Sequence, residues 1–362
     1  MDILSKRPEI EDVLQRGLLR TVAGSDILQG FGSVFRKDMH LDEDVSTQAF
    51  EVDIFVSHSW SSDGWPKYLA LCRVLNLGKA LEAVALVLVL IFLAASCRGI
   101  GRRSGYDRDT IFFVAVSWLV VLGIFFQVLF LGQHATCGER KPTLWLDRLC
   151  IEQTDARQKA SGIAALPVFV ARSSQFLMLY DESYLDRLWC IVELATFVKK
   201  SGCEPVHFVP LWLPRWLLTT MLLDILQGCV CIAALLVWSW SSPQELSPLA
   251  SDRGLNHFLN NLLLVLILLP GYIVVLAPSM WALGQKAQGH EEMLQQFAAF
   301  DIRRCKCSDP SDRQPLETLV NELFASTVSA GGSAVCSVSE ASGTSKEVTS
   351  LSEAEESTPQ DR

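Results

Sequence analysis

Basic residues are in the minority. The chain has 31 Lys and Arg against 40 Asp and Glu, a formal net charge of −9. A chain of that sign repels a polyanion, so nucleic acid is excluded as the main partner. Cysteines paired at metal spacing are also missing. The 11 cysteines are odd in number and scattered. Cys305 and Cys307 form a CxC, but no second Cys or His pair stands at zinc-like spacing. No metal site is expected, and the thiols are expected to be reduced and buried. The first residues, MDILSKRPEIEDVLQRG, have no apolar core. A cleaved signal peptide is therefore not expected.

Charge is nearly absent from several long stretches. Half the residues (50%) are hydrophobic, and mean hydropathy is +0.28. Residues 80–97 carry Glu82 as their one charge, and residues 111–132 carry none. At about 1.5 Å per residue the second run crosses a hydrocarbon core of about 30 Å, and the first does so with its flanks. A second apolar pair covers roughly 217–240 and 258–283. Trp212, Trp216, Trp238 and Trp240 bracket its first member as an interfacial belt would. Pro270–Gly271 marks a kink in the other. The expectation is about four transmembrane helices in two hairpins. Arg98, Arg102, Arg103 and Arg108 fall on the far side of the first hairpin, against Arg73, Lys79, Arg140, Lys141, Arg215 and Lys286 on the near side. That positive-inside bias is weak, and a shallow or re-entrant first hairpin is the alternative.

Between the apolar pairs the sequence alternates strand and helix. EVDIFVSHSW (51–60) reads as a buried strand and GWPKYLALCRVLNLGKALEA (64–83) as a helix. TLWLDRLCI (143–151) reads as a strand, and 156–173 as a helix interrupted near Pro167. QFLMLYDESY (175–184) reads as strand and turn, 186–200 as a helix, and VHFVPLWL (206–213) as a strand. FDIRRCKC (300–307) and DRQPLETLVNELF (312–324) supply a last strand and helix. The alternation predicts an α/β domain with a parallel sheet. Its pieces lie before, between and after the hairpins, so two spans per insertion keep them on one side of the membrane.

Three segments carry a resemblance. VDIFVSHSW, LWLDRLCIEQ and FLMLYDESYLDRLWCIVEL resemble a TIR (Toll/interleukin receptor-type) domain in order and content. The likeness covers about 51–79 and 140–213, and extends to 290–324. It implies a flavodoxin-like parallel sheet of about five strands, self-association through the domain, and a cytosolic position. The division is then a polar, partly helical segment over 1–48, TIR-like parts over 49–79, 140–213 and 290–324, hairpins over 80–132 and 214–285, and an acidic disordered tail over 325–362.

Glu193 is the residue this resemblance makes most of. Leu188, Ile191, Val192, Ala195 and Val198 form the core face of its helix, while Trp189 and Glu193, four apart, share another. In TIR domains that cleave NAD, a glutamate at this WCxxEL position is catalytic. A fixed carboxylate stabilises the oxocarbenium-like charge that develops when the nicotinamide–ribose bond breaks. NAD is then a candidate substrate, and no cofactor is required. Ser57, His58, Ser59 and Trp60 follow the first strand, and Asp147 and Arg148 the second, at the edge where such sheets bind ligands. Trp60 or Trp189 is placed to stack on a ring, and Arg148 or His58 to meet a phosphate. Two alternatives stand beside this one. The same fold serves as an interaction scaffold with no turnover. Asp224, inside an apolar run with Gln227 one turn on, raises a small transporter or channel with a regulatory domain.

Overall fold

The computed structural model describes residues 7–36, 45–99, 108–134, 141–152, 154–241, 253–307, 313–314 and 316–318. In chain order the elements are α1 (Arg7–Gln15), β1 (Arg20–Ala23), α2 (Gly24–Gly32), β2 (Thr47–Gln48), β3 (Val52–His58), α3 (Gly64–Arg98), α4 (Arg108–Leu131), β4 (Thr143–Trp145), α5 (Asp147–Cys150), α6 (Ala156–Ala164), α7 (Leu166–Ala171), β5 (Ser173–Tyr180), α8 (Leu188–Ser201), β6 (Val206–Pro210), α9 (Trp212–Ser241) and α10 (Arg253–Ala298). The result is an α/β fold on a six-stranded mixed sheet, in the order β2-β1-β4-β3-β5-β6.

The strand VDIFVSH is apolar almost throughout because β3 is central, paired in parallel with β4 on one side and β5 on the other. Phe55 lies in register with both Trp145 and Phe176. The three rings stack across the sheet, at 4.5 Å and 5.5 Å between centroids. Phe197 of α8 packs on the end of that ladder, 5.2 Å from Phe176. Asp53 fixes the register of β4, its Oδ2 accepting from the amide and the hydroxyl of Thr143 at 2.7 and 2.8 Å.

Several expectations are corrected. Among the described residues the parallel strands are four, β4, β3, β5 and β6, and the other two are antiparallel additions. Both additions come from the stretch 1–48, expected to be a polar segment outside the domain. RTVA is too short to show an alternation, yet Leu19 and Val22 are buried in the shared core. The strand expected over 143–151 stops at Trp145, and Asp147 begins a short helix. The strand expected over 300–307 is a 3₁₀ turn (Ile302–Arg304) with one bridge between Arg187 and Lys306. Of the helix expected over 312–324, residues 313–314 and 316–318 are helical. The rest of it, and the tail over 325–362, lie outside the described residues. Cys203 is disulfide-bonded, against the expectation of reduced thiols. Cys72, Cys150, Cys190 and Cys305 are free and buried as expected, whereas free Cys97 and Cys229 are exposed.

The apolar runs grow out of the sheet as continuous helices. Buried positions in α3 end at Ala80, and apolar side chains from Leu81 onward are largely exposed. Asn76 ties α3 to the end of α4, donating to Leu129 O at 2.9 Å and to Gln133 Oε1 at 2.8 Å. The pair therefore leaves the domain and returns to it. The second pair does the same. α9 follows β6 directly, α9 and α10 pack together, and near the end of α10 Gln296 accepts from Tyr180 Oη at 2.6 Å. Among the described residues, three helices are long and apolar enough to cross a membrane: Gly64–Arg98, Asp109–His134 and Trp212–Val237. The run at 258–283 lies inside α10, whose helix continues through Pro270–Gly271.

Candidate functional site

Among themselves the four parallel strands run 2-1-3-4 in chain order, so the order reverses between β3 and β5. Ligands of open α/β sheets bind beyond the strand ends at such a reversal. Ser57 and His58 end β3, and Asp181–Tyr184 follow β5. The two loops are tied together there. Ser183 Oγ donates to Asp181 Oδ2 at 2.9 Å and lies 2.7 Å from Ser59 Oγ.

Glu193 is brought to this point from α8. Leu188, Ile191, Val192 and Ala195 bury the core face as expected, while Trp189 and Glu193 are half-buried beside it. The Glu193 carboxyl turns inward, and Oε2 accepts from Ser57 Oγ at 2.6 Å. Ser57 Oγ also lies 2.8 Å from the Tyr184 hydroxyl. Ser57 has one proton and gives it to Glu193, so Tyr184 donates to Ser57. Burial pushes the Glu193 carboxyl up to about 8; the Ser57 bond opposes this, and the negative charge of Asp147 adds to it. At neutral pH the group is mostly protonated.

The other expected residues gather in a second cluster. Trp60 Nε1 donates to Asp147 Oδ2 at 2.7 Å. Asp147 Oδ1 accepts from the Arg148 amide at 2.7 Å. Burial nevertheless raises the Asp147 carboxyl above its ordinary value. The Arg148 guanidinium lies 5.8 Å from the Trp60 ring and donates to the carbonyls of Val34 and Arg36. Its fork therefore serves the α2 end of the domain. His58 is wedged between Phe35 and Trp60, at 5.5 and 4.5 Å. Burial, then the charges of Lys67 and Arg187, hold the imidazole well below its ordinary pKa. His58 is thus neutral, and its Nε2 is buried with no hydrogen-bond partner among the described residues.

Trp189 and Glu193 share a small cavity of about 170 Å³ with Leu166, Pro167, Val170 and Leu316. Trp60 is not among its walls. Pockets that enclose drug-sized ligands run to about 300–1,000 Å³, so a dinucleotide needs this one to open.

Sequence reasoning passed over Tyr184, Ser183 and Lys67. Lys67 is fully buried, and its ammonium donates to Ser59 O at 2.6 Å and to Ser62 O at 3.0 Å. It pins the loop after β3 from inside. A lone lysine in the apolar run PKYLALC was the available signal. Among the described residues no group of three His, Cys, Asp or Glu is placed to hold a metal ion. Comparison with known proteins gives no match of the chain to a family model, a curated protein or a solved structure.

Proposed function

We propose that the protein is a membrane-anchored signalling module built on a TIR-like domain, with Glu193 as the catalytic carboxyl for cleavage of NAD. The observation that carries this reading is the 2.6 Å bond from Ser57 to Glu193 at the β3/β5 reversal. The strand order 2-1-3-4 supports a flavodoxin-like parentage for the parallel part. The helix through 258–283, returning to Tyr180, supports four spans in two hairpins with the parts of the domain on one side, which this reading takes as cytosolic.

In this reading the structure is the resting form. Self-association opens the cavity beside Trp189, and the dinucleotide enters along Ser57, Ser59, Trp60, Asp147 and Arg148. Neutral His58 packs the loop and is not a phosphate contact. Ionised Glu193 faces the ribose as the nicotinamide leaves with the bonding electrons. Water adds to the same carbon and loses a proton, giving nicotinamide and ADP-ribose. Nicotinamide release by the protein in nanodiscs, at several protein densities and with Glu193→Ala as the paired control, tests the proposal. No release at any density from folded protein would end it.

A second reading, a scaffold without turnover, is favoured by how fully the site is used internally. Arg148 is spent on backbone carbonyls, Asp147 on Trp60, and the cavity is about 170 Å³. Self-association of the parent chain with no nicotinamide release at any density, unchanged in Glu193→Ala, supports it. The transport reading rests on Asp224, which lies on the exposed surface of α9.

A further inference from the structure

A second cavity, larger than the one beside Glu193, lies elsewhere. It measures about 910 Å³ and sits between the loops that follow β3 and β5 and the facing ends of α9 and α10. Its walls on the helix side, Trp212–Thr219 and Trp281–Gln296, flank the apolar runs of those helices. Trp212, Trp216 and Trp281 are the residue type that settles at the headgroup level of a bilayer. In a membrane this cavity therefore opens among lipid headgroups.

Its lining carries both signs of charge. Arg215 and Lys286 stand with four carboxylates, those of Asp63, Asp181, Glu182 and Glu292. A purely anionic guest would meet a net negative wall, and a purely cationic one would leave the two bases unused. Lys286 lies 4.7 Å over the Trp216 ring, and Arg215 pairs with Asp63 at 3.2 Å. Polar capacity is also left over. The indole N–H groups of Trp212 and Trp216 and the Oδ1 of Asp181 are buried with no partner among the described residues. Buried polar atoms are normally satisfied by protein, water or ligand, so these three are where a guest's own donors and acceptors can be used. The guest must supply an acceptor on the helix side and a donor on the β5 side.

We propose that this cavity binds the zwitterionic headgroup of a membrane phospholipid, phosphate toward Lys286 and the tryptophans and primary ammonium toward Asp181 and Glu182. A primary ammonium carries the N–H donors that Asp181 lacks, and a quaternary ammonium carries none. The chemistry is phosphoethanolamine, and the membrane is its source. The inference rests on the membrane reading, which alkaline carbonate extraction of the membranes tests by itself.

The test uses the full chain, stripped of lipid in detergent and titrated with short-chain phosphatidylethanolamine, phosphatidylcholine, phosphatidylglycerol and soluble glycerophosphoethanolamine. Bound lipid is read by native mass spectrometry. The expected result is retention of phosphatidylethanolamine at least about tenfold over the other two lipids. Lys286→Ala and Asp181→Asn should each reduce that preference, with the melting temperature recorded for both. If either variant fails to fold, Glu182→Gln at the exposed rim replaces it. Equal retention of all three lipids overturns the proposal. Preference unchanged in folded variants also overturns it. Binding of the soluble headgroup as tight as that of the lipid overturns the membrane as its source.

Discussion

Ser57 and Glu193 lie 136 residues apart and share a 2.6 Å hydrogen bond. The bond joins the end of the central strand to the middle of α8, with Tyr184 beyond Ser57 at 2.8 Å. The three groups form a chain in which Tyr184 donates to Ser57 and Ser57 to Glu193. A chain of this kind costs stability if one member is removed, because the others stay buried without partners. The same placement sets Glu193 at the edge where a substrate of this sheet would arrive. Fold and chemistry therefore have to be separated by the choice of substitution.

Glu193→Gln makes that separation. The amide oxygen still accepts from Ser57, so the melting temperature should stay within a few degrees of the parent. The carboxylate is gone, so nicotinamide release should fall by about 100-fold or more. Glu193→Ala instead strands Ser57 and should destabilise by about 1–3 kcal/mol. Turnover in Glu193→Gln equal to the parent would remove Glu193 from the chemistry.

The pH dependence of stability has a definite sign. Folding raises the Glu193 carboxyl from its ordinary value of 4.5 to about 8. Between those values the folded state holds a proton that the unfolded state has lost. Stability from this group is thus full below about 4.5, falls as pH rises, and levels off above about 8. Denaturant titrations across pH 5–9 should show that decline in the parent and a shallower one in Glu193→Gln. If NAD is cleaved by the ionised form, nicotinamide release should rise over the same range. A parent and variant with parallel stability profiles would contradict the buried, protonated state.

Much of the framework could be read from the chain because its signals are local. The β-branched run in 52–58, the strand at 175–180 and the periodic face of 188–201 are buried elements, and their patterns say so. The antiparallel edge could not be read, since RTVA gains its strand geometry from pairing with distant segments, Thr47 and Gln48 of β2 and Thr143 and Leu144 of β4. The facing of Glu193 is a case between the two. Helical spacing correctly set it beside Trp189, off the core face. Its turn toward Ser57 depends on a partner from a distant segment, which no periodicity reports. Arg148 likewise looked free for a phosphate because the carbonyls of Val34 and Arg36 are invisible in a one-dimensional pattern.

The two helix pairs are joined at Gly228. A Cβ there would lie 2.4 Å from Cζ2 of Trp118, so α4 and α9 meet with no room for a side chain. Gly228→Val should push them apart and lower the melting temperature in detergent, while Gly78→Ala, where a Cβ meets nothing within 4 Å, should not. Cysteine cross-linking between the two helices should weaken in Gly228→Val. Unchanged cross-linking would mean that the pairs are held elsewhere.

Cys97 decides whether the first pair crosses the membrane or dips into it. Burial against the domain ends at Ala80, and α3 runs on to Arg98. That length at about 1.5 Å per residue is close to the thickness of a hydrocarbon core, about 30 Å. Cys97 is exposed on the last turn, while Cys307 lies on the domain and is half-buried. In sealed vesicles of one orientation, an impermeant maleimide outside should label one of the two, and permeabilisation should release the other. Single-cysteine versions of the chain make the assignment clean. Labelling of Cys97 and Cys307 from the same side would make the first pair re-entrant, and the domain would then hang from α9 and α10 alone.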